Sequence, residues 1–290
     1  MKTLVYGSPE YNDLKKESLS LYGVIPTEQF NAKIAIRDRI DYLKNFLKET
    51  GMKGYVLGIS GGVDSSTAGR LAQLACEELR SESYEAQFIA VRLPAGVQRD
   101  EEEAQAAVKF INADKIITIN VGEAAKNIAT QAFEEIKRLG KELTPFEFDF
   151  SHGNAKARTR MLAQYFLGAS YQCLILGTDH STEGISGFWT KFGDGACDLL
   201  VLNGLNKTQV RLVAKELGAP EFLYSKVATA DLETERPQIP DEVALGLSFK
   251  VLDAFLEGKE IDPEIEYKII NQFYITQHKR KEIPGFVKAK

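Results

Sequence analysis

The segment Gly58-Ile-Ser-Gly-Gly-Val-Asp-Ser-Ser66 joins a short apolar run to a helical pattern. The run covers residues 55–59, and the helical pattern continues to Leu79. Gly61 and Gly62 let the backbone approach a ligand and direct its N–H groups inward. The partial positive charge at the start of a helix favours an anion at the same place. The segment therefore predicts a strand, a phosphate-binding loop and a helix, in that order.

The loop differs from the two commonest glycine-rich phosphate loops. No lysine follows its glycines, as a Walker A loop requires, and the GxGxxG spacing of dinucleotide-binding proteins is missing. The hydroxyls of Ser60, Ser65 and Ser66 add hydrogen-bond donors, while Asp64 places an anion beside the predicted anion site. That arrangement suits a cation such as Mg²⁺ bound between them. The alternative interpretation is a tight strand-to-helix turn with Asp64 as the N-cap.

Strand and helix patterns alternate along most of the chain, which predicts an α/β fold with a parallel sheet flanked by helices. Thr27 is the predicted N-cap of the first helix. The predicted strands cover residues 55–59, 87–93, 115–121 and 172–177. The predicted helices, besides the one after the loop, cover residues 27–50, 100–112, 154–167, 207–217, 241–256 and 262–279, with one more ending near Gly140. An irregular, glycine-rich stretch covers residues 178–204, and a proline-containing loop covers residues 233–240.

The composition is that of an ordinary globular protein. Of the 290 residues, 44% are hydrophobic and 27% are charged, which excludes disorder, collagen-like sequence and a disulfide mini-scaffold. A net charge of −5 argues against wholesale nucleic-acid binding. No apolar run approaches the ~18 residues of a membrane span, and the first residues do not match a signal peptide, so we expect a cytoplasmic protein without a membrane partner. The three cysteines, Cys76, Cys173 and Cys197, form no CxxC and are expected to be buried rather than metal-bound.

Residues 58–66 resemble the pyrophosphate-binding loop of the ATP pyrophosphatase superfamily, whose members cleave ATP to AMP and pyrophosphate. Further motifs resemble one branch, the ammonia-dependent NAD synthetases, in order and at similar spacing. They are GTDHSTE at 177–183, GFWTKFGDG at 187–195, LNK at 205–207, TADLE at 229–233 and RPQIPDE at 236–242. The resemblance implies an adenine nucleotide alpha-hydrolase-like (Rossmann-like) fold. It also implies a single domain over residues 1–290, with an N-terminal arm at 1–26 and a flexible C-terminal tail at 280–290.

In that family, ATP adenylates the nicotinate carboxylate of deamido-NAD, and ammonia then displaces AMP to give NAD. The resemblance thus implies Mg²⁺ as cofactor, ATP as co-substrate, deamido-NAD and ammonia as the other substrates, and a homodimer. The chemistry agrees, because moving a carboxylate oxygen onto the α-phosphorus builds negative charge that Mg²⁺ and fixed cations stabilise. Ammonium must also lose a proton to a carboxylate before it attacks. Asp194, between two glycines, is the first choice for this base and Asp198 the second.

The resemblance also implies site residues, one position at a time. Asp64 and Glu183 match Mg²⁺ ligands. The catalytic group implied comprises Asp194, Lys191 and Lys207. The ATP and pyrophosphate contacts implied are Gly58, Ile59, Ser60, Gly61, Gly62, Val63, Asp64, Ser65, Thr178, Lys207 and Thr229. The deamido-NAD contacts implied are Arg158, Phe188, Lys191, Asp198, His278 and Lys279.

Several of these residues also have simpler interpretations. Residues 191–198 are compatible with an ordinary solvated loop, and Arg158 with the solvent face of a helix. The pair at 278–279 is compatible with a helix C-terminus, where cations complement the helix dipole. Trp189 stands where the family usually has a second phenylalanine, which leaves the shape of the nicotinate pocket open.

Two other functions compete with amide formation. Transfer RNA thiolation uses the same kind of loop, but it calls for catalytic cysteines and a basic RNA-binding appendage, and this acidic chain has no CxxC. A nucleotide-binding module without turnover is the second alternative. Because a passive binder does not need metal-binding carboxylates, Asp64 and Glu183 favour an enzyme.

Overall fold

This computed structural model of the chain describes residues 4–96, 101–226, 229–230 and 239–286. Within these ranges the sheet strands are β1 (Gly54–Gly58), β2 (Gln87–Arg92), β3 (Lys115–Thr118), β4 (Leu174–Gly177) and β5 (Leu199–Leu200). They form one sheet in the order β3-β2-β1-β4-β5, and every pairing in it is parallel. A separate antiparallel pair consists of β6 (Thr229–Ala230) and β7 (Ile239–Pro240). The parallel sheet confirms the predicted fold class.

The α-helices of the described residues surround this sheet and continue beyond it toward the C-terminus. They are α1 (Pro9–Tyr22), α2 (Ala32–Thr50), α3 (Val63–Ser81), α4 (Glu101–Ile111), α5 (Gly122–Arg138), α6 (Pro145–Tyr171), α7 (Ser181–Ser186), α8 (Lys207–Glu216), α9 (Glu221–Ser225), α10 (Asp241–Leu245), α11 (Phe249–Leu256) and α12 (Pro263–Ile275). Short 3₁₀ helices cover Thr27–Gln29 and Gln277–Lys279. Among the described residues, none of the helices is both long enough and apolar enough to cross a membrane.

The strand order places a cleft beyond the carboxyl ends of the neighbouring strands β1 and β4. The chain runs outward from β1 through β2 to β3, and it then returns to the other side of β1 to form β4 and β5. The loops that follow β1 and β4 therefore leave the sheet in diverging directions. In open α/β sheets, ligands bind at this point, beyond the carboxyl ends of the strands. The loop after β1 is the predicted phosphate loop, so the fold positions it at the cleft.

Both faces of the central strands β1, β2 and β4 are buried, which explains why these strands are mostly apolar, whereas the edge strand β3 is largely exposed. On β1, Tyr55 and Leu57 pack into a core shared with α2, α3 and α8, while Val56 points into a core on the opposite face. A third apolar cluster, including Phe249 and Phe273, joins α1, α11 and α12. This C-terminal layer forms one side of the cleft, because α7 packs against α11 and α12.

The predicted strands and most predicted helices are confirmed, with corrections at helix ends. Thr27 is not the N-cap of α2, because the Asn31 side chain accepts hydrogen bonds from the first turn and Thr27 bonds Glu257 instead. Helix α6 begins nine residues before the predicted position 154, at a capping box between Thr144 and Glu147. The predicted helix 241–256 is two helices, α10 and α11, separated at Gly246, whose φ is 65°.

Helix α1 lies within the segment predicted as an N-terminal arm. Its Tyr11 and Leu14 are buried against the C-terminal layer, and the Tyr11 hydroxyl donates to Glu266 at 2.8 Å. Helix α1 is thus part of the folded body. Of the motifs at 229–233 and 236–242, residues 231–238 lie outside the described residues, as do residues 287–290 of the predicted tail.

Candidate active site

The phosphate loop is held open by its own glycines and hydroxyls. Gly61 has a φ of 89°, a conformation that L side chains rarely adopt, and a Cβ there would lie in tight contact, 3.3 Å from the Cα of Ala104. The Ser60 hydroxyl accepts from the Gly62 N–H at 3.2 Å and lies 3.1 Å from the Ser65 hydroxyl. The N-terminus of α3 therefore points its free N–H groups into the cleft, as anion binding requires.

Asp64 is not the N-cap of α3. Gly62 occupies that position, and Asp64 lies in the first turn of the helix. Its carboxylate is consequently free to face the cleft instead of satisfying the end of its own helix. One oxygen, Oδ1, is buried and has no hydrogen-bond partner among the described residues.

A cluster of ionisable side chains forms where this loop faces the segment after β4. Lys207 Nζ, at the start of α8, donates to Asp64 Oδ2 at 2.7 Å and lies 3.9 Å from Glu183 Oε1. His180 Nε2 lies 3.4 Å from Glu183 Oε1 and 3.7 Å from Asp64 Oδ1. The Lys207 and His180 side chains are almost completely buried. The structure thus brings three of the sequence-predicted residues, Asp64, Glu183 and Lys207, into direct contact range.

The cluster carries more negative charge than its cations offset. Burial raises the pKa of Asp179 well above its ordinary value, and the charge of Glu183 raises it further. Burial also raises the pKa of Asp241 to about 6, again with Glu183 as the next cause. Although burial opposes the ionisation of Glu183, the nearby His180 and Lys207 hold its pKa at about 2. Carboxylates that destabilise one another's charged forms in this way favour a bound cation.

The residues present fit a divalent cation. One oxygen of Asp64, one of Glu183 and a ring nitrogen of His180 lie within 4.8 Å of one another. Carboxylate oxygens are the protein ligands that Mg²⁺ prefers, and the unpartnered Asp64 Oδ1 faces this cluster. Asp64 and Glu183 are therefore the residues that would hold Mg²⁺ here.

A second group of predicted residues meets at the loop between α7 and β5. Lys191 Nζ donates to the carbonyl of His278 at 2.6 Å, and Arg158 on α6 donates to the carbonyl of Lys191 at 3.3 Å. Lys279 Nζ donates to the carbonyls of Gly187 at 2.8 Å and Trp189 at 2.6 Å. Three segments that are distant in sequence therefore join here, at the C-terminal side of the cleft.

Asp194 lies in the same loop, and its environment suits proton acceptance. Its Oδ1 accepts from the N–H of Thr190 at 3.0 Å, which fixes the carboxylate. The carboxylate is accessible to solvent, but the surrounding walls of the cleft desolvate it and raise its pKa, and the charge of Glu183 adds to the shift. A raised pKa makes a carboxylate a stronger base.

Within the described part of the chain, the side chains of the remaining predicted site residues form no hydrogen bond to Asp64, Glu183 or Lys207. Asp198 Oδ2 accepts from the N–H of Ile175 at 2.6 Å, so this carboxylate supports the edge of the sheet. Phe188 is half-buried, and His278 contributes its carbonyl while its side chain is exposed. Thr178 follows β4 directly. Thr229 lies in β6, and its side chain is outside the described part of the chain.

Sequence reasoning missed Asp179 and His180 as members of the cluster. Both are buried, at the carboxyl end of β4. Their position directly after an apolar strand was the available signal, because parallel strands place such residues at the ligand-binding edge.

All three cysteines are free. Burial raises the pKa of the Cys197 thiol to about 12, with the charges of Asp179 and Asp198 as further causes. Burial likewise raises the pKa of Cys173 to about 11 and that of Cys76 further. Because a nucleophilic cysteine needs a lowered pKa, these environments do not suit thiol catalysis.

Comparison with known proteins finds relatives that are NAD or NMN synthetases. A family model described as NAD synthase matches residues 35–284. The NH(3)-dependent NAD(+) synthetase of Halalkalibacterium halodurans is 51% identical over 257 residues, which is 88% of this chain and 92% of that protein.

Two solved structures are also similar. The NAD+ synthetase from Burkholderia pseudomallei superposes with a TM-score of 0.79 at 41% identity, covering 94% of this chain and 98% of that one. The NMN synthetase from Francisella tularensis gives a TM-score of 0.74 at 27% identity, covering 89% of this chain and 100% of that one.

Proposed function

Because this chain belongs to the NAD synthase family, we propose that its cleft converts deamido-NAD, ATP and ammonia into NAD, AMP and pyrophosphate. This ligase reaction is the final step of NAD biosynthesis. The observation that supports it best is the contact of Lys207 with Asp64 and Glu183, directly beside the glycine-rich loop. Such a site stabilises negative charge that develops on a triphosphate.

In the first half-reaction, an oxygen of the nicotinate carboxylate attacks the α-phosphorus of ATP, and pyrophosphate leaves. The backbone N–H groups of residues 63–65, in the first turn of α3, bind the departing pyrophosphate, and residues 58–62 shape the loop beside it. Lys207 turns its ammonium from Asp64 toward the phosphates and stabilises the charge that builds there. When bound by Asp64 and Glu183, Mg²⁺ would neutralise part of the same charge. Thr178 and Thr229 complete the proposed ATP contacts.

In the second half-reaction, Asp194 takes a proton from ammonium, and the resulting ammonia attacks the acyl carbon. The nitrogen of the adduct releases a second proton to solvent, and AMP leaves with one of the original carboxylate oxygens. The hydrogen bond from Thr190 holds Asp194 in place for this transfer. Proton transfer by a positioned group contributes about 10²- to 10⁴-fold to rate.

Deamido-NAD is proposed to bind along the C-terminal side of the cleft. Lys191 and Lys279 bring positive charge to its phosphates, and Arg158 stabilises the loop that carries Lys191. Phe188 offers an aromatic ring for the nicotinate end. Asp198 and His278 complete the proposed contacts.

The proposal includes a homodimer. Helix α6 exposes large apolar side chains, with Phe166 70% and Leu162 66% exposed. Arg158, Leu162 and Phe166 follow one another at four-residue spacing, so they lie on the same face of α6. Exposed apolar patches of this kind mark interaction surfaces. Arg158, on the same helix, bonds the site loop, so a second copy seated on α6 would lie beside the dinucleotide site.

We expect the active enzyme to sediment as a dimer, and Leu162→Glu with Phe166→Glu to produce a monomer with little activity. A buried charge at each position would disfavour the interface. Ile34→Glu is the matched control, because Ile34 is also exposed but lies on α2, across the sheet from α6. Full activity in a sedimenting monomer would contradict the proposal.

A cytoplasmic location is part of the proposal. It is supported by the three free cysteines, since thiols stay reduced in that compartment.

The direct test supplies ATP, Mg²⁺, deamido-NAD and ammonium chloride and measures AMP and NAD. We expect stoichiometric formation of both. Nicotinic acid mononucleotide in place of deamido-NAD tests the alternative substrate suggested by the similarity to an NMN synthetase. If the enzyme preferred the mononucleotide, its substrate would be nicotinic acid mononucleotide, and the reaction would still be an ATP-dependent amidation.

We expect ammonium, and not glutamine, to be the efficient nitrogen donor. Glutamine use requires a cysteine nucleophile, and burial raises the pKa of each thiol in this chain. NAD formation is compared at equal concentrations of ammonium chloride and ammonia-free glutamine, with Cys197→Ala as control. Efficient glutamine use that Cys197→Ala abolishes would overturn this prediction.

A further inference from the structure

Three residues on one face of the C-terminal layer surround Lys207. Phe249, Asp253 and Glu257 follow one another at four-residue spacing, the first two in α11 and the third at its C-cap. All are buried: Phe249 is 6% exposed, Asp253 is 5% exposed, and the Glu257 side chain is 4% exposed. These residues are called the α11 row below. Buried carboxylates need partners, so the partners of Asp253 and Glu257 show what the row holds.

Asp253 binds the first turn of α8. Its Oδ1 accepts from the N–H of Lys207 at 3.2 Å, and its Oδ2 accepts from the N–H of Thr208 at 3.0 Å and from the Thr208 hydroxyl at 2.7 Å. The first N–H groups of a helix have no partner within that helix, and a carboxylate there also favours the helix dipole. Asp253 thereby fixes the backbone from which the Lys207 side chain extends.

The other two residues of the α11 row, Phe249 and Glu257, also contact Lys207 or its neighbour. The Lys207 ammonium lies 5.2 Å from the centre of the Phe249 ring, within cation–π range. Glu257 accepts from the side-chain amide of Asn206 at 2.7 Å, and Asn206 is the N-cap of α8. The α11 row therefore contacts Lys207 at its ammonium, at its backbone and through the residue before it.

The Asp253 carboxylate also contacts α7, the helix that carries Glu183. Asp253 Oδ1 accepts from the Thr182 hydroxyl at 2.7 Å, and Thr182 precedes Glu183 in α7. The buried Asp253 carboxylate therefore links the start of α8, which carries Lys207, to the start of α7, which carries Glu183. We propose that the α11 row, through Asp253, positions Lys207 for adenylation. This inference rests on the proposed function and assigns Asp253 a positioning role, because it acts through Lys207.

The test is a double-mutant cycle on the first half-reaction. Exchange of labelled pyrophosphate into ATP, with deamido-NAD and no ammonia, is measured for wild type, Asp253→Asn, Lys207→Met and the double variant. Misplacing a catalytic group by about 1 Å costs on the order of 10²-fold, so we expect a 10- to 100-fold loss from Asp253→Asn in the wild-type background. In the Lys207→Met background we expect less than about threefold, because the residue that Asp253 positions is gone.

Thr208→Val is the matched control, since it removes one hydrogen bond to the same carboxylate but keeps the N–H of Lys207 in place. We expect it to stay within about threefold of wild type. If Asp253→Asn does not fold, the same cycle is run with Glu257→Gln. We expect this variant to lose less pyrophosphate exchange than Asp253→Asn, and to cause no further loss when Lys207→Met is already present.

Equal losses in both backgrounds would overturn the positioning role, as would wild-type exchange in folded Asp253→Asn. No exchange by the wild type itself would contradict the proposed function instead, so the two failures are distinguishable.

Discussion

Asp64→Asn should abolish pyrophosphate release almost completely. The substitution removes the charge that pairs with Lys207 at 2.7 Å and half of the carboxylate pair proposed to hold Mg²⁺. Removing one electrostatic contact to a transition state typically costs on the order of 10²- to 10³-fold in rate. The loss should persist at saturating Mg²⁺, because the amide cannot restore the charge.

The measurement is pyrophosphate release by the purified variant at saturating Mg²⁺, ATP and deamido-NAD. Asp41→Asn serves as control, because Asp41 is also paired with a cation, Arg37, but on the exposed surface of α2. Turnover of Asp64→Asn within about threefold of wild type would show that the metal assignment is wrong.

Asp194→Asn should separate the two half-reactions. Adenylation requires no proton removal, whereas amide formation does, so only the second step should fall, by about 10²- to 10⁴-fold. The readouts are pyrophosphate exchange without ammonia and NAD formation with it. Equal loss of exchange and amidation would refute the role of Asp194 as ammonium base.

Asp198→Asn is the matched variant for this experiment. An asparagine carbonyl can still accept from the N–H of Ile175, so the edge of the sheet should stay intact. Because Asp198 is a proposed deamido-NAD contact, we expect the variant's KM for deamido-NAD to rise, whereas amidation at saturating deamido-NAD should stay within about threefold of wild type. The reverse pattern, with Asp198→Asn losing amidation and Asp194→Asn keeping it, would transfer the base role to Asp198.

The fold and the phosphate loop could be predicted because their signals are local. Residues 54–66 contain a strand, a glycine turn and a helix start in consecutive positions, and each has its own sequence pattern. The parallel order followed from alternating strands and helices. The N-terminal helix α1 was missed, because only a few of its residues, such as Tyr11 and Leu14, are apolar and buried.

The cluster at the cleft could be predicted only in part. Lys207 and Asp64 are 143 positions apart, and no periodicity in either helix indicates that their side chains meet. The family resemblance pointed to both residues, and the structure supplied their contact. Asp253 had no signal at all, since an aspartate within an amphipathic helix normally indicates its solvent face. Tertiary packing against α8 reverses that expectation and buries it.

Competing functions on the same loop are disfavoured by the described side chains. Thiolation needs a reactive cysteine, but burial raises the pKa of Cys197 to about 12. A passive nucleotide binder would gain nothing from mutually repelling carboxylates such as Asp179 and Glu183. Both features are consistent with an enzyme that transfers AMP to a carboxylate.

In the proposed reaction, ATP activates the nicotinate carboxylate by bonding one of its oxygens to the α-phosphorus. The most direct measurement uses deamido-NAD labelled with ¹⁸O in that carboxylate, together with ATP, Mg²⁺ and ammonium, followed by mass spectrometry of the products. We predict one ¹⁸O in AMP, one in the NAD amide and none in pyrophosphate. Label in pyrophosphate or inorganic phosphate, or AMP without label, would show that the carboxylate is not adenylated.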